Sequence, residues 1–259
     1  MQIETISMQK LFLILFLNLS VITTAIAQQS ISDSSIFIPS LGINYTYQFV
    51  GGDLATTFGN NSAIGADATF KLKNNWVIGT SFQYYFSDQV KNKEAYFKDI
   101  QTSSGFIIDG NGQFAEVFLY QRGFNAQIFG GYQFDFWSPN PNSGPFIQLS
   151  VGMMRYWVRI ENPDMVAPQV KGDYKKMYDR LSGGISTTEF IGYRWMGARN
   201  LANFYAGIEF TQGFTENKRN YNADLDPADI GKHLDILTGI KVGWIIPFYP
   251  KAPKEFYYY

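Results

Sequence analysis

Six charged residues, Asp67, Lys71, Asp135, Arg194, Glu209 and Lys241, each fall on the polar side of a two-residue alternation, among Gly, Asn, Thr and Gln. Ile, Phe, Tyr and Leu occupy the other side, so the alternation places all six on one face of a sheet. Opposite charges confined on such a face must pair to offset their desolvation, which predicts a structural salt-bridge network. The competing reading is a path for protons or ions along the same residues. Enzymatic chemistry has less to work with. His233 is the sole histidine, so a cluster of several His ligands is impossible. A Ser/His arrangement would require His233 to meet a serine such as Ser87 or Ser182, and nothing in the spacing selects either. The pairs Gly51-Gly52, Gly130-Gly131 and Gly183-Gly184 precede no phosphate-cradling helix and read as kinks and interior space. No catalytic residue, metal or cofactor is assigned.

Eight segments must position these charges: Leu41 to Phe49, Ile64 to Leu72, Trp76 to Phe86, Gly123 to Phe136, Phe146 to Ile160, Gly184 to Trp195, Phe204 to Phe214 and Leu234 to Phe248. Each is about as long as the ~9–11 residues with which a tilted strand crosses a bilayer. In the first, Leu41, Ile43, Tyr45, Tyr47 and Phe49 share one face and Gly42, Asn44, Thr46 and Gln48 the other. The fifth changes phase, since Tyr156, Val158 and Ile160 are out of step with Ile147 to Met153, and a β-bulge near Met154 or Arg155 would repair it. Glu189 interrupts the apolar face of the sixth, where a local register change turning it inward is the cheaper solution. Connections after the second, fourth and sixth segments are short, while those after the third, fifth and seventh are long and polar. The predicted fold is all-β: an eight-stranded antiparallel transmembrane up-and-down β-barrel over residues 41–248. Closure is required because an open sheet in lipid would leave edge N–H and C=O groups unpaired. Trp76, Phe136, Trp195, Phe204, Trp244 and Phe248 lie near the ends joined by short turns, as one aromatic girdle. An eight-stranded barrel has an interior just wide enough for side chains, which argues against a diffusive pore.

Composition agrees with membrane strands. Aromatic residues make up 17% of the 259 residues and charged residues also 17%, against a charged average near ~25%. There is no cysteine, hence no disulfide framework or thiolate site, and a net charge of −1 gives no general pull toward nucleic acid. Lys10, the apolar run Leu11 to Leu17 and Ala25-Ile26-Ala27 read as a secretory signal peptide over residues 1–27, with Met1 or Met8 as initiator. Residues 28–40 then form a periplasmic N-terminal segment. After Phe248, two prolines and three charges exclude a strand, so residues 249–259 read as a periplasmic tail. Its rings Phe256, Tyr257, Tyr258 and Tyr259 are candidate anchors for a protein partner. The long connections mix lysines with aromatics, as in Lys91 to Lys98 and Lys171 to Tyr178, a composition suited to glycan, lipopolysaccharide headgroups or a partner protein.

The order polar, any, Gly, any, any, apolar, any, aromatic, filled by Lys241, Gly243, Ile246 and Phe248, resembles the C-terminal insertion signal of bacterial outer-membrane barrels. Over the mature chain, the Gln28 start, the Tyr/Phe-rich strands, the Pro247-Phe248 closure and the Tyr-rich tail resemble small outer-membrane β-barrel proteins of gliding and type IX secreting bacteria. Tyr193-Arg194-Trp195 and Leu201 to Phe204 are the stretches most similar to accessory subunits of secretion or motility assemblies in that group. The resemblance implies the bacterial outer membrane, both termini periplasmic, lipid and lipopolysaccharide as surroundings, and a non-enzymatic structural or adaptor subunit of a larger complex. The alternatives are a lipid A-modifying enzyme and a free-standing surface barrel for adhesion or ligand binding.

Overall fold

A computed structural model describes residues 34–163, 167–197, 202–219, 222 and 231–248. The signal-peptide region 1–27 and the tail 249–259 lie outside the described residues.

The alternation closes into one barrel. Its strands are β1 (Ile38–Gly52), β2 (Asn61–Lys71), β3 (Trp76–Ser87), β6 (Phe118–Gln133), β7 (Gly144–Glu161), β8 (Ser182–Met196), β9 (Asn203–Asn217) and β10 (Lys232–Pro247). Each pairs antiparallel with its neighbours in chain order, and β1 pairs with β10 to complete the circle. Side chains of period 2 point alternately into the barrel and out of it. Thus Asn44, Thr46 and Gln48 are buried while Ile43, Tyr45, Tyr47 and Phe49 are exposed. The outer wall carries exposed apolar residues on all eight strands, which is the surface of a transmembrane barrel.

The two ends differ. Connections 72–75, 134–143 and 197–202 form a turn end, which also holds the start of β1 and the close of β10; connections 53–60, 88–117, 162–181 and 218–231 form a loop end. At the turn end Asn75 adopts φ 67, and the hairpin is clipped by Asn75 N–H to Leu72 O at 3.1 Å. At the loop end the chain folds further, with short helices α1 (Leu54–Thr57) and α2 (Lys93–Tyr96), a hairpin of β4 (Ile107–Ile108) and β5 (Phe114–Ala115), and two 3₁₀ turns, Pro168–Val170 and Gly172–Met177.

Three expectations are corrected. No bulge interrupts β7: its pairing with β6 and with β8 runs without a skip through Met154 and Arg155. Instead Met154, Tyr156, Val158 and Ile160 all point inward, because the interior at this height is apolar. They join Leu54, Phe58, Tyr96, Phe97, Ile107 and Val170 in a core shared between the barrel mouth and the loops above it. Glu189 does not turn inward either. Its pairing with Leu149 and with Phe210 is in register, and it stays on the outer face with Ile185 and Ile191. Asp135 is not in the interior: β6 ends at Gln133, and Asp135 is exposed in the following turn. The alternation persists past the last paired residue, but the sheet that gives it a meaning does not.

Candidate functional site

Of the predicted interior charges, Asp67, Lys71, Arg194, Glu209 and Lys241 are buried. Glu209 on β9 and Lys241 on β10 form an ion pair, Nζ to Oε2 at 3.0 Å, with both side chains at most 5% exposed. Gln83 on β3 reaches across the barrel and donates its amide to Oε1 and Oε2 of Glu209 at 3.0 and 3.2 Å. The charges are thereby hydrogen-bonded as well as paired, the condition under which a buried ion pair is tolerated. Asp67 on β2 accepts from Asn44 Nδ2 at 2.8 Å and from the Tyr205 hydroxyl. Tyr205 fits there because Gly243 has no side chain: a Cβ at that position would lie 2.3 Å from the Tyr205 ring.

Lys71 and Arg194 belong to other arrangements. At the turn end Lys71 Nζ donates to Ser35 Oγ at 2.8 Å and to Asn142 Oδ1 at 3.0 Å. Asn142 also accepts from Ile36 N–H at 3.1 Å and donates to Ser34 O at 2.8 Å. The segment before β1 is thus clasped across the barrel mouth by the β6–β7 turn. Beneath it Ile36, Ile38, Met196 and Ile245 form a small apolar layer. Arg194 lies over the Phe146 ring at 4.4 Å, a cation–π contact. Among the described residues the six predicted charges therefore make one ion pair; polar side chains serve Asp67 and Lys71, an aromatic ring serves Arg194, and Asp135 is outside the barrel.

The interior is filled along its whole height. From the turn end it runs through the apolar layer of Ile36 and an aromatic layer of Phe129, Phe146 and Phe190. A polar layer follows, where Gln127 Nε2 donates to Thr188 Oγ1 at 2.6 Å and Ser186 Oγ to Asn125 Oδ1 at 2.8 Å. Above it Thr215 Oγ1 donates to Asp235 Oδ2 at 2.7 Å, and the apolar core closes the loop end.

The loop cap is stitched by polar contacts. Lys91 N–H donates to Thr57 O at 2.8 Å, and the Arg180 guanidinium stacks on Tyr96 at 3.9 Å. Arg219 pairs with Asp179, which raises the guanidinium pKa further above its ordinary value. On the cap surface the exposed rings of Phe106 and Phe114 meet at 4.5 Å. Phe106 borders a cavity of about 350 Å³ that Lys93, Gln101, Glu116 and Phe118 also line. In the second 3₁₀ turn Lys176 holds the exposed Asp173 carboxyl below its usual range through a hydrogen bond.

His233 and Ser182 line one cavity of about 170 Å³ at the loop end. They sit on β10 and β8 with β9 between them, and the Ser182 hydroxyl donates to Arg180 O at 3.2 Å. Ser87 is on β3, its hydroxyl donating to Asn60 O at 2.7 Å. Each of the two serine hydroxyls is thus directed at a backbone carbonyl. In the closing strand Lys241 and Gly243 point inward, Ile246 and Phe248 outward, and Phe248 N–H donates to Pro39 O at 2.8 Å. Phe256, Tyr257, Tyr258 and Tyr259 lie outside the described residues. Gln83, Tyr205 and Asn142 were missed as interior partners. Gln83 alternates inward with the rest of β3 and Tyr205 shares the phase of Glu209 on β9, which are usable signals; Asn142 carries none, since a turn amide looks the same in sequence whichever way it faces.

No protein-family model matches this chain, and no curated protein matches it. Among solved structures it is similar to Ail, the attachment invasion locus protein of Yersinia pestis, with a TM-score of 0.44 and 9% identity over 81% of this chain and 99% of that one. It is also similar to the outer membrane protein OprG of Pseudomonas aeruginosa, with a TM-score of 0.38 and 13% identity over 85% and 99% of the two chains. The N-terminal β-barrel domain of OprF from Pseudomonas aeruginosa follows at a TM-score of 0.35 and 12% identity over 80% and 96%.

Proposed function

We propose that the chain is a non-enzymatic barrel of the bacterial outer membrane, with both termini in the periplasm, that serves as a structural or adaptor subunit of a larger membrane complex. The observation that carries this is the filled interior: the Gln83–Glu209–Lys241 network sits between apolar layers at either end. A solid barrel has only its surfaces to work with. Those surfaces are the lipid-facing wall, the folded loop cap and the turn end from which the aromatic tail departs. Long loops on one side and short turns with the termini on the other fit the usual orientation, loops outward and turns periplasmic. The resemblance in Tyr193-Arg194-Trp195 and the Tyr-rich tail points to secretion assemblies of the type IX class.

The test is native purification of the tagged full chain from outer membranes, with and without residues 249–259. The adaptor role predicts partners that are retained by the full chain and lost or depleted on tail deletion. Full retention without the tail, or no partner at all, overturns it. A second reading, a free-standing surface barrel that binds a ligand, is favoured by the exposed Phe106–Phe114 pair beside the cavity at Lys93. It predicts that Phe106→Ala with Phe114→Ala abolishes binding of whole cells to immobilised sulfated glycan while leaving surface abundance unchanged.

A further inference from the structure

The outer wall of a membrane barrel should be apolar at mid-depth, and on most strands it is: Ile43, Phe82, Ile128 and Val151 hold that position. On β8, β9 and β10 polar residues gather among the apolar ones, whereas β3 has Thr80 beside Phe82. Thr187 and Glu189 on β8, Gln212 on β9 and Thr238 on β10 all lie on the outward face, each half-buried by its neighbours. Register brings them together, since Thr187 pairs with Gln212, Glu189 with Phe210, and Phe210 with Thr238. Four polar residues therefore surround one ring, Phe210. Its place between Phe204 at the turn end and Phe214 at the loop end of the same strand puts the group near the middle of the bilayer, beyond reach of headgroups.

The carboxyl is the exceptional member. Its Oε2 is enclosed by its own chain without a hydrogen-bond partner, which leaves the rest of the half-buried carboxyl to meet a neighbour; the Gln212 amide lies on the adjoining β9, and the Thr187 and Thr238 hydroxyls on β8 itself and on β10. Acyl chains offer it nothing. We propose that a second copy of this chain covers the patch, so that Glu189 of each protomer accepts from the Gln212 amide and Thr187 hydroxyl of the other. The patch has both the acceptor and the donors, and a two-fold axis along the membrane normal sets like depth against like depth, which makes one surface complementary to itself. A foreign partner would need only one of the two kinds of group. Hydrogen bonds between polar side chains are an established glue between spans in lipid. Around the patch, Leu149, Ile185, Ile191 and Ile208 provide an apolar rim. The inference rests on the membrane reading and is independent of the adaptor role.

The absence of cysteine makes the test direct. Ile191→Cys beside the patch and Ile128→Cys on β6 are each introduced into the full chain, folded in phosphatidylcholine–phosphatidylglycerol vesicles at high lipid dilution and oxidised. The patch variant is expected to give at least threefold more disulfide-linked dimer, and adding Glu189→Leu is expected to reduce it to the Ile128→Cys level. Heat-modifiable gel mobility reports that each variant is folded, and Glu189→Leu only adds an apolar side chain to a lipid-facing wall. Equal crosslinking of the two cysteines, or crosslinking undiminished by Glu189→Leu, overturns the proposal. So does a cysteine at 191 that, in native membranes, links to a different protein and not to itself.

Discussion

The ion pair between Glu209 and Lys241 is the costliest arrangement in the barrel to disturb. Removing one partner strands the other in a dry layer, so Glu209→Gln or Lys241→Met should each lower the unfolding free energy by about 3–5 kcal/mol. The double variant should regain much of that loss, because no charge is left unpaired; urea titrations of the barrel in vesicles measure all three. Gly243 is a second sensitive residue. Gly243→Ala must displace the Tyr205 ring, and overpacking of this kind costs about 1–3 kcal/mol. The freed tyrosine would show as a change in ultraviolet fluorescence or absorbance, alongside the stability loss. Both sites were partly legible beforehand. Lys241, Glu209, Asp67 and Gly243 stand out by phase and by type; Gln83 and Tyr205 share the inward phase, but which residue each meets does not show, because alternation says nothing of reach across a barrel.

Strand β7 shows how one element can belong to two environments without a break in its backbone. Its outward side chains stay in phase throughout, but its inward ones pass from Ser150 in the polar layer to Met154, Tyr156, Val158 and Ile160 in the loop cap. Alternation reports which side a residue faces and not what medium fills that side, so a change of medium looks like a change of phase. The same limit accounts for Glu189 and Asp135. A carboxylate on an apolar face suggests a rotation of the strand, yet unbroken pairing with Leu149 and Phe210 forbids it; Asp135 keeps the phase of β6 after the pairing has ended. The strands themselves, their order and the alternation of short and long connections were legible, because lipid outside and packed residues inside impose period 2 on every strand. If β7 does join the cap to the barrel, Val158→Ser should loosen the cap alone. Proteolysis of the folded variant in vesicles should then cut within 88–117 or 162–181 severalfold faster than in the parent, while heat-modifiable mobility remains that of an intact barrel.

At the scale of the whole molecule, four layers, apolar, aromatic, polar and again apolar, block the axis, and each draws residues from strands distant in sequence. Planar bilayers containing the folded chain should therefore show no resolved conductance steps above the lipid background, at any polarity. Removing the network with Glu209→Gln and Lys241→Met together should not open them, since Phe129, Phe146 and Phe190 on one side and the Tyr156 core on the other still fill the bore. Steps in the parent chain would refute the solid-barrel reading outright. The clasp at Asn142, Ser35 and Lys71 seals the remaining mouth from the turn end. A membrane can hold such a barrel at high density and still keep its small solutes, so the number of copies a cell carries is free to follow the demand for its surfaces without any toll in leakage.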